Sequence, residues 1–510
     1  MKIRIPIDII KISRKLEENG FESFLVGGCV RDLLSNKSPK DWDITTNAKP
    51  EDILKIFPFG KYQNEFGTVV LPDKYFTEKN KGKAGNLYEI TTYRKEGKYT
   101  DKRRPDEVVF AEKVEDDLKR RDFTINAMAI RFLDVEKLWK RVGESSVDTA
   151  VQLTEYTIKD IFGGKIDLDS KLIRTVGDPY DRIEEDALRM MRAVRFAVQL
   201  DFELAVSTYE AIKKKADNLR FISKERIQEE LTKIFLSPRP AKGVDLLVET
   251  NLMNCIIPEV IEAVGVRQNR HHYYGPYNTV YKHMLASLEK CPSEKLEVRL
   301  AAFLHDVGKP QTKRGEGINS TFYGHEYVGA RKAREILERL KFPRKVVEKT
   351  VLLIKNHMFY YNVDEVGESG VRRVIKKVGL ENINDLIDVR IADRLGSGVP
   401  KAVPYKLRHF KFMVEKVSKD AVSVKQLNIN GDDLIKEVKV KPGPKIGAIL
   451  EILLAEVIDN PQLNNRRQLL ERARELAKKE LKSLRSQSKK KIKEERKREE
   501  EEIKGKYYVK

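Results

Sequence analysis

The sequence is poor in cysteine and has no long apolar run. Its three cysteines, Cys29, Cys255 and Cys291, are far apart in 510 residues and form no C-x-x-C pair. Their odd number and spacing argue against a disulfide framework and against a cysteine zinc site. No stretch of about 18 apolar residues is present, and the first residues lack the apolar region of a secretory signal. We therefore expect a cytoplasmic protein with no membrane partner.

Positive charge, by contrast, is in excess. Lys and Arg number 99 against 79 Asp and Glu, which gives a formal net charge of +20. Such a balance favours a polyanionic partner such as nucleic acid. Hydrophobic residues make up 40% of the chain, enough for several cores, and the length is typical of about three or four domains.

The pattern of apolar residues predicts an α+β head followed by helical domains. Strand-like and helix-like segments are mixed in residues 1–140, whereas helical spacing dominates afterwards. Lys, Arg and Glu dominate the end of the chain, which predicts a charged helical or disordered tail. The predicted boundaries are 1–140 for the head, 141–260 for a helical neck and body, 261–400 for a further helical domain, 401–475 for a helical tail domain and 476–510 for the charged C-terminal tail.

Two glycines and two aspartates form the first candidate site. Gly27-Gly28 follow a short apolar run and precede a helix-like segment, so their backbone N–H groups are placed to bind phosphate. In the next predicted strand, Asp41 and Asp43 fall on one face. Paired carboxylates suit a divalent metal, and we interpret the stretch as a joint metal and phosphate site. For D-x-D alone, an exposed strand face is the alternative interpretation.

Two polar stretches follow in the head. Residues 94–105 are charged and contain glycine, which predicts a mobile loop or a simple connector. Residues 116–129 present the donors of Arg120 and Arg121, and Asp122 or Thr124 is a candidate helix start. This cluster fits the recognition of triphosphate and ribose, with a solvated basic turn as the alternative.

A row of charged residues marks the start of the helical part. Asp186, Arg189, Arg192 and Arg195 follow one another at i, i+3 steps, which predicts one polar stripe on one helix. Arginines in line with few acids repel one another unless an anion lies alongside, although an exposed salt-bridged helix is the usual interpretation. Adenine and cytosine both present an amino donor beside a ring-nitrogen acceptor, a pattern that an Asp acceptor and an Arg donor complement. We therefore predict base selection by Asp186 and Arg189, and phosphate binding by Arg192 and Arg195.

Histidines are concentrated in the third predicted domain. The chain has 7 histidines; six of them lie in this block, and four of these are spaced through its helix-like segments. Imidazoles and carboxylates from several helices can meet at one divalent ion, although a lone His-Asp dipeptide is usually structural. The candidate ligands are His283, His305, Asp306, His325, His357 and Asp393.

Together these motifs resemble the class II tRNA nucleotidyltransferases, the CCA-adding enzymes, and the poly(A) polymerases of the same family, in the bacterial form with an appended HD domain. Residues 94–105 occupy the place of the family's flexible loop. The resemblance rests on the ordered occurrence of Gly27–Asp32 with Asp41–Asp43, the ribose motif Arg120–Asp122, the templating motif Glu185–Arg189 and the neck motif Ser223–Arg226.

The resemblance implies stepwise addition of C, C and A to the 3′ end of tRNA from CTP and ATP, with release of pyrophosphate. It implies that Asp41 and Asp43 are catalytic and bind two Mg²⁺ ions, with Glu89 as a weaker candidate for a further carboxylate. The implied nucleotide-binding residues are Gly28, Arg31, Arg121, Asp122, Asp186, Arg189, Arg192 and Arg195.

The resemblance also implies a second metal site in the HD domain. Its ligands would be His283, His305, Asp306 and Asp393, with His325 and His357 nearby. The ion would be Ni²⁺, Mn²⁺, Co²⁺ or Mg²⁺, and the activity phosphohydrolysis of 2′,3′-cyclic or terminal phosphates. Residues 401–475 are then expected to bind tRNA.

Several alternatives stay open at this point. A poly(A) polymerase would share the head, but residues 65–70 lack the extra arginines expected there, whereas an A-adding specialist is compatible with every motif. The retained loop argues against an enzyme that adds only C. A phosphohydrolase with a degenerate head, or an RNA-binding protein without catalysis, is disfavoured by the intact Asp41 and Asp43. Residues 141–157 depart from the family pattern as an insertion, and the chain is compatible with a monomer or a homodimer.

Overall fold

A seven-stranded mixed sheet forms the centre of the head in the computed structural model, which describes residues 2–64, 67–72, 87–96, 108–142, 150–268, 278–363, 365–398, 403–419, 427–459, 461–481, 501 and 503–509. The strands are β1 Ile3–Pro6, β2 Phe24–Val26, β3 Trp42–Thr46, β4 Lys61–Asn64, β5 Thr68–Pro72, β6 Leu87–Thr92, β7 Arg94–Glu96, β8 Val108–Phe110, β9 Met128–Phe132, β10 Ala150–Leu153, β11 Tyr156–Asp160, β12 Leu172–Ile173 and β13 Glu203–Leu204.

The strand order of this sheet is β11-β9-β2-β3-β6-β5-β4. Strands β3 and β6 are parallel, and the other neighbours are antiparallel. Strands β2 and β3 bury nearly every side chain on both faces, as expected of strands covered by helices. Two-stranded pairs β1-β10, β7-β8 and β12-β13 complete the β structure of the described residues. The predicted α+β head is confirmed, and its central sheet is mixed.

The chain divides into two compact units, Met1–Ile354 and Lys355–Lys510. The first unit contains the sheets and most of the helices. Its helices are α1 Ile7–Glu18, α2 Gly28–Leu34, α3 Pro50–Ile56, α4 Val114–Lys119, α5 Val135–Val142, α6 Gly164–Asp169, α7 Pro179–Glu185, α8 Leu188–Leu200, α9 Val206–Lys215, α10 Lys224–Phe235, α11 Pro240–Glu249, α12 Met253–Ile256, α13 Pro258–Ile261, α14 Val280–Glu289, α15 Leu296–Leu304, α16 Lys309–Thr312 and α17 His325–Arg339, with α18 Arg344–Asn356 at the boundary.

The regular secondary structure described in the second unit is entirely helical. Its helices are α19 Glu368–Val378, α20 Ile383–Gly396, α21 Tyr405–Lys419, α22 Gly431–Lys436, α23 Pro444–Asp459 and α24 Arg466–Ala477. Helices α22, α23 and α24 share one apolar core, which includes Leu434, Ile449 and Leu469. An Asn430–Asp433 capping box begins α22.

The predicted loop and the predicted insertion both take part in the sheets. Residues 94–96 form β7, which pairs with β8, so the predicted loop begins as a strand; its remaining residues lie outside the described ranges. Within the predicted insertion at 141–157, β10 pairs with β1, and β11 begins at Tyr156 as an edge strand of the main sheet. The described part of this insertion is therefore integrated into the head.

The end of the charged tail is packed rather than solvated. Among the described residues after 500, Ile503 and Val509 are buried. Lys506 and Tyr507 both donate to the Glu415 carboxylate on α21, at 2.7 and 2.9 Å. These last residues thus belong to the second unit, which charge composition alone did not predict.

Candidate active site and metal cluster

Gly27 lies at the centre of the candidate site, where β2 ends and α2 begins. Its backbone has φ +76°, a conformation that favours glycine. A Cβ at this position would lie 3.1 Å from Nη1 of Arg121 and 3.2 Å from Oδ2 of Asp43. Only glycine therefore allows the guanidinium and the carboxylate to approach the β2–α2 turn together.

Three carboxylates meet beside this turn. Asp43 on β3 is paired in register with Glu89 on β6, and Asp41 is exposed just before β3. Burial raises the pKa of Asp43 to about 6; Arg121 opposes this shift, and Glu89 and Asp41 add to it. Burial, followed by Asp41, also raises the pKa of Glu89. Mutually repelling carboxylates of this kind fit a divalent cation such as Mg²⁺, which prefers oxygen ligands.

Asp117 on α4 holds the arginines of the predicted ribose motif. Its side chain is fully buried, accepting from Nη2 of Arg120 at 2.7 Å and from Nη2 of Arg121 at 3.0 Å. Burial alone would raise the pKa of Asp117, but the two guanidiniums outweigh it and the pKa lies below its usual value. Asp117 therefore fixes the position from which Arg121 reaches Gly27. We did not predict this residue, although its i, i+3 and i, i+4 spacing to two arginines is a usable signal.

Arg31 and Asp122 belong to one hydrogen-bond network across three elements. Arg31 donates to the neighbouring Asp32 at 2.7 Å and to Oδ1 of Asn126 at 2.9 Å. The Asn126 amide donates in turn to Asp122 at 3.4 Å, and Asp122 accepts from Nε of Arg192 at 2.8 Å. Burial opposes ionisation of Asp122, but Arg192 holds its pKa below the usual value. The network joins α2, the 3₁₀ turn Thr124–Asn126 and α8.

The predicted polar stripe on a single helix is wrong. Helix α7 ends at Glu185, and α8 begins at Leu188, while Asp186 between them is extended with φ −141° and ψ 104°. The Asp186 carboxylate accepts from the Leu188 N–H at 3.0 Å and from Nη2 of Arg226 at 2.8 Å. Asp186 thus faces the neck motif on α10, and the three arginines alone share α8.

The arginines of α8 are also less isolated than the sequence indicates, because each binds a carboxylate. Arg189 is buried and donates to Glu185, and to the backbone carbonyl of Arg120 at 3.2 Å. Arg192 binds Asp122, and Arg195 donates to the buried Glu230 of α10 at 2.9 Å. The expectation that an anionic ligand alone offsets their charge is therefore incorrect.

His283, His305, Asp306 and His325 form a buried cluster in the first unit. The Nε2 atoms of His283 and His305 are 3.1 Å apart, and each lies 3.3 Å from Oδ2 of Asp306. Nδ1 of His305 donates to the Ala302 carbonyl at 2.9 Å, as Nδ1 of His325 does to Phe322 at 2.8 Å. Since a carbonyl only accepts, these Nδ1 atoms carry a proton. When the ring is neutral, the lone pair is therefore on Nε2, the atom that could ligate a metal.

The surroundings keep Asp306 ionised. Burial would raise the pKa of this carboxyl, but His305 and Lys309 hold it well below its usual range. Lys309 lies 2.6 Å from Asp306 and also donates to Gln268. At Gly308 a Cβ would lie 2.5 Å from the His325 carbonyl oxygen, so glycine allows α17 to approach.

The remaining predicted ligands belong to the second unit. Asp393 on α20 accepts from Nη1 of Arg390 at 2.9 Å, and the buried His357 follows α18. Their part in the His283 cluster stays a prediction.

Comparisons with known proteins match three successive segments of the chain. Residues 23–174 match the family model "Poly A polymerase head domain", and residues 201–264 match "Probable RNA and SrmB- binding site of polymerase A". Residues 280–397 match the HD domain. The head match extends past residue 140 and includes β10 and β11.

Curated relatives decide the family. The CCA-adding enzyme of Ligilactobacillus salivarius is 31% identical over 474 residues, which cover 92% of this chain and 97% of that enzyme. The chain belongs to the family of CCA-adding enzymes. The family member from Geobacillus thermodenitrificans is 42% identical over 243 residues, but these cover only 47% of this chain and 52% of that enzyme.

A solved structure of another CCA-adding enzyme, that of Bacillus stearothermophilus in complex with CTP, has the same fold. It is 27% identical, with a TM-score of 0.54 over 91% of this chain and 96% of that one.

The family match to the head contains Asp41, Asp43 and Arg121, and the second match contains Arg226 and Glu230. None of the described helices combines the length and apolar composition that a membrane span requires.

Proposed function

We propose that Asp41 and Asp43 are the catalytic residues with which this member of the CCA-adding family extends the 3′ end of tRNA, using CTP and ATP. The observation that carries the proposal is the group of three carboxylates beside Gly27 and Arg121. Mg²⁺ bound there would activate the 3′-hydroxyl of tRNA and offset charge on the triphosphate. Asp41 and Asp43 would hold two such ions, with Glu89 as the third carboxylate.

The groups around Gly27 are suited to triphosphate and ribose. Arg121, fixed by Asp117, lies beside the turn and can bind a phosphate oxygen without moving its anchor. The Gly28 backbone N–H is available to a phosphate oxygen. The Arg31 guanidinium is held by Asp32 and Asn126, and its remaining N–H groups can donate to the same ligand. On α8, a third of the Arg192 side chain is exposed against 9% for Arg195. We therefore assign phosphate contact to Arg192 and a positioning role to Arg195.

Base selection is assigned to Asp186 and Arg189. Although they are on different elements, they remain neighbours, since the Arg189 N–H donates to the Asp186 carbonyl at 3.0 Å. Arg226 donates to the Asp186 carboxylate, and Glu185 accepts from the Arg189 guanidinium. The side chains of Asp186 and Arg189 each retain hydrogen-bonding capacity for a base. An Asp acceptor beside an Arg donor complements cytosine and adenine, the two bases to be added.

The test is primer extension on tRNA that ends just before CCA. With CTP alone the product is expected to stop after the second C, and both nucleotides together are expected to give the full CCA end. Asp43→Asn is expected to remove extension while tRNA binding is retained. Long A tails from ATP alone would support a poly(A) polymerase, and addition of A only to tRNA ending in CC would support an A-adding specialist.

The buried cluster of His283, His305 and Asp306 favours a second function. Its Nε2 atoms and carboxylate converge as they would around a divalent ion, and we propose phosphohydrolase activity there with Ni²⁺, Mn²⁺, Co²⁺ or Mg²⁺. Asp393 is proposed as a further ligand. His305→Ala is expected to lose hydrolysis of 2′,3′-cyclic nucleotides while nucleotide addition continues. Loss of both activities would mean that the two sites are not separable.

A further inference from the structure

The second unit contains a cavity of about 570 Å³ that none of the assigned functions uses. It lies where the chain after α18 meets α20 and the start of α21. Cavities of about 300–1,000 Å³ are typical of small-molecule sites. Its walls combine aromatic rings with cationic side chains, and its lining residues include no carboxylate.

The aromatic wall is ordered by ring packing. Phe359 and Phe410 have centroids 4.8 Å apart at an interplanar angle of 32°, and Tyr361 meets Phe410 at 5.0 Å and 64°. Phe410 is fully buried, whereas Tyr360 is 67% exposed and Tyr405 38% exposed. Fixed inner rings with exposed outer rings provide a stacking surface for a planar ligand.

The cationic wall consists of Arg390, Arg394 and Lys406. Arg390 is bound to Asp393. The Arg394 side chain makes no hydrogen bond or ion pair with the described residues, and its Nε is buried. A buried guanidinium N–H without an acceptor is destabilising. Arg394 also lines the cavity, so an anionic oxygen bound there would pair with its guanidinium, and Arg394 is therefore the strongest indication of a ligand.

We propose that this cavity binds a nucleoside phosphate, with the base stacked on the aromatic rings and the phosphate bound by Arg394 and Lys406. The ligand would be a free nucleotide or the terminal nucleotide of a single-stranded RNA, which present the same chemistry. Aromatic side chains and arginine together recognise unpaired nucleotides in this way. All lining residues belong to the second unit, so this site is distinct from the nucleotidyl-transfer site around Asp43.

Photo-crosslinking of the full-length protein tests the location. The probe is 8-azidoadenosine 5′-monophosphate, used in EDTA so that metal sites do not contribute. We expect labelled peptides that contain Phe359–Tyr361 or Tyr405. AMP or a single-stranded penta-adenylate should compete, whereas adenosine or inorganic phosphate alone should compete weakly. Stronger competition by the oligomer would identify an RNA end as the ligand, and equal or stronger competition by AMP a free nucleotide. Label confined to the head would overturn the proposal.

Matched variants test the residues. Arg394→Ala and Tyr360→Ala are each expected to weaken probe binding roughly tenfold or more, because each removes a phosphate or stacking contact. Tyr360 is mostly exposed, so its replacement leaves the core intact. Arg372→Ala and Tyr508→Ala, at exposed positions of the same unit, are expected to bind as the wild type does. Unchanged binding in both test variants would also overturn the proposal, whereas nucleotide addition is not expected to change in any of them.

Discussion

Replacing Asp117 by alanine should damage both the stability and the activity of the head. The carboxylate is fully buried and accepts four hydrogen bonds at 2.7–3.3 Å from Arg120 and Arg121. Removing one side of a buried ion pair leaves its partners uncompensated, which typically costs about 3–5 kcal/mol. Loss of the anchor also frees Arg121 to leave Gly27. We expect a higher KM for CTP and a lower kcat, because Arg121 would no longer be held beside the carboxylates.

The dependence on pH gives this prediction a second measurement. The pKa of Asp117 is lowered in the folded protein, so its stabilising effect is present above the pKa of an unfolded aspartate, about 3.9. That effect is lost as the pH falls through the lower folded value. Chemical denaturation at neutral pH should therefore separate Asp117→Ala from the wild type, and the difference should shrink below about pH 4.

Two comparisons make the Asp117 experiment decisive. Asp52→Ala removes a partly exposed partner of the exposed Lys55 and is expected to cost less than about 0.5 kcal/mol. In a double-mutant cycle, Arg121→Ala should cost little activity once Asp117 is absent, since the two residues act as one unit. Additive losses of activity, or a destabilisation no larger than that of Asp52→Ala, would refute the anchoring role.

Three further predictions concern the other candidate groups. Gly27→Ala is expected to abolish most nucleotide addition without unfolding the head, because its Cβ would crowd Arg121 Nη1 at 3.1 Å. The control is Gly20→Ala, whose Cβ would have nothing within 4 Å. This control should remain active in the same primer-extension assay. Asp186→Ala should incorporate wrong bases while still binding tRNA, which sequencing of the extended tRNA ends would detect; unchanged fidelity would exclude the assignment. His305→Ala should bind fewer divalent ions than the wild type in equilibrium dialysis, and an unchanged stoichiometry would count against a metal cluster.

The sequence predicts the active-site turn well because its determinants are local. Gly27 requires a positive φ, and Asp43 lies on the next strand along the chain, so both are recognisable from a few neighbouring residues. Strand β9 was not predicted as a strand, because four of its five residues are buried and no alternation marks them. Helical spacing likewise continues through the break at Asp186, where the extended backbone is set by contacts with α10.

The partners of the α8 arginines could not be predicted for a different reason. Asp122 is 70 residues from Arg192, and Glu230 is 35 residues from Arg195. A charge pattern along one helix reports only the acids near it in sequence, whereas these carboxylates are brought in by the fold. Local electroneutrality is therefore a poor guide to whether a buried arginine has an external ligand.

These pairs give α8 a structural role in addition to its proposed role in nucleotide binding. Its three arginines bind carboxylates from α7, from the ribose motif and from α10, so one helix links the catalytic head to the neck. A phosphate that approaches Arg192 must share that guanidinium with Asp122 or displace it. Displacement would remove the cation that holds the pKa of Asp122 down and, through Asn126, would loosen Arg31. Sharing preserves the network. Since a guanidinium has five N–H groups and Asp122 engages two of them, shared binding is the arrangement that lets one arginine serve both the fold and the nucleotide.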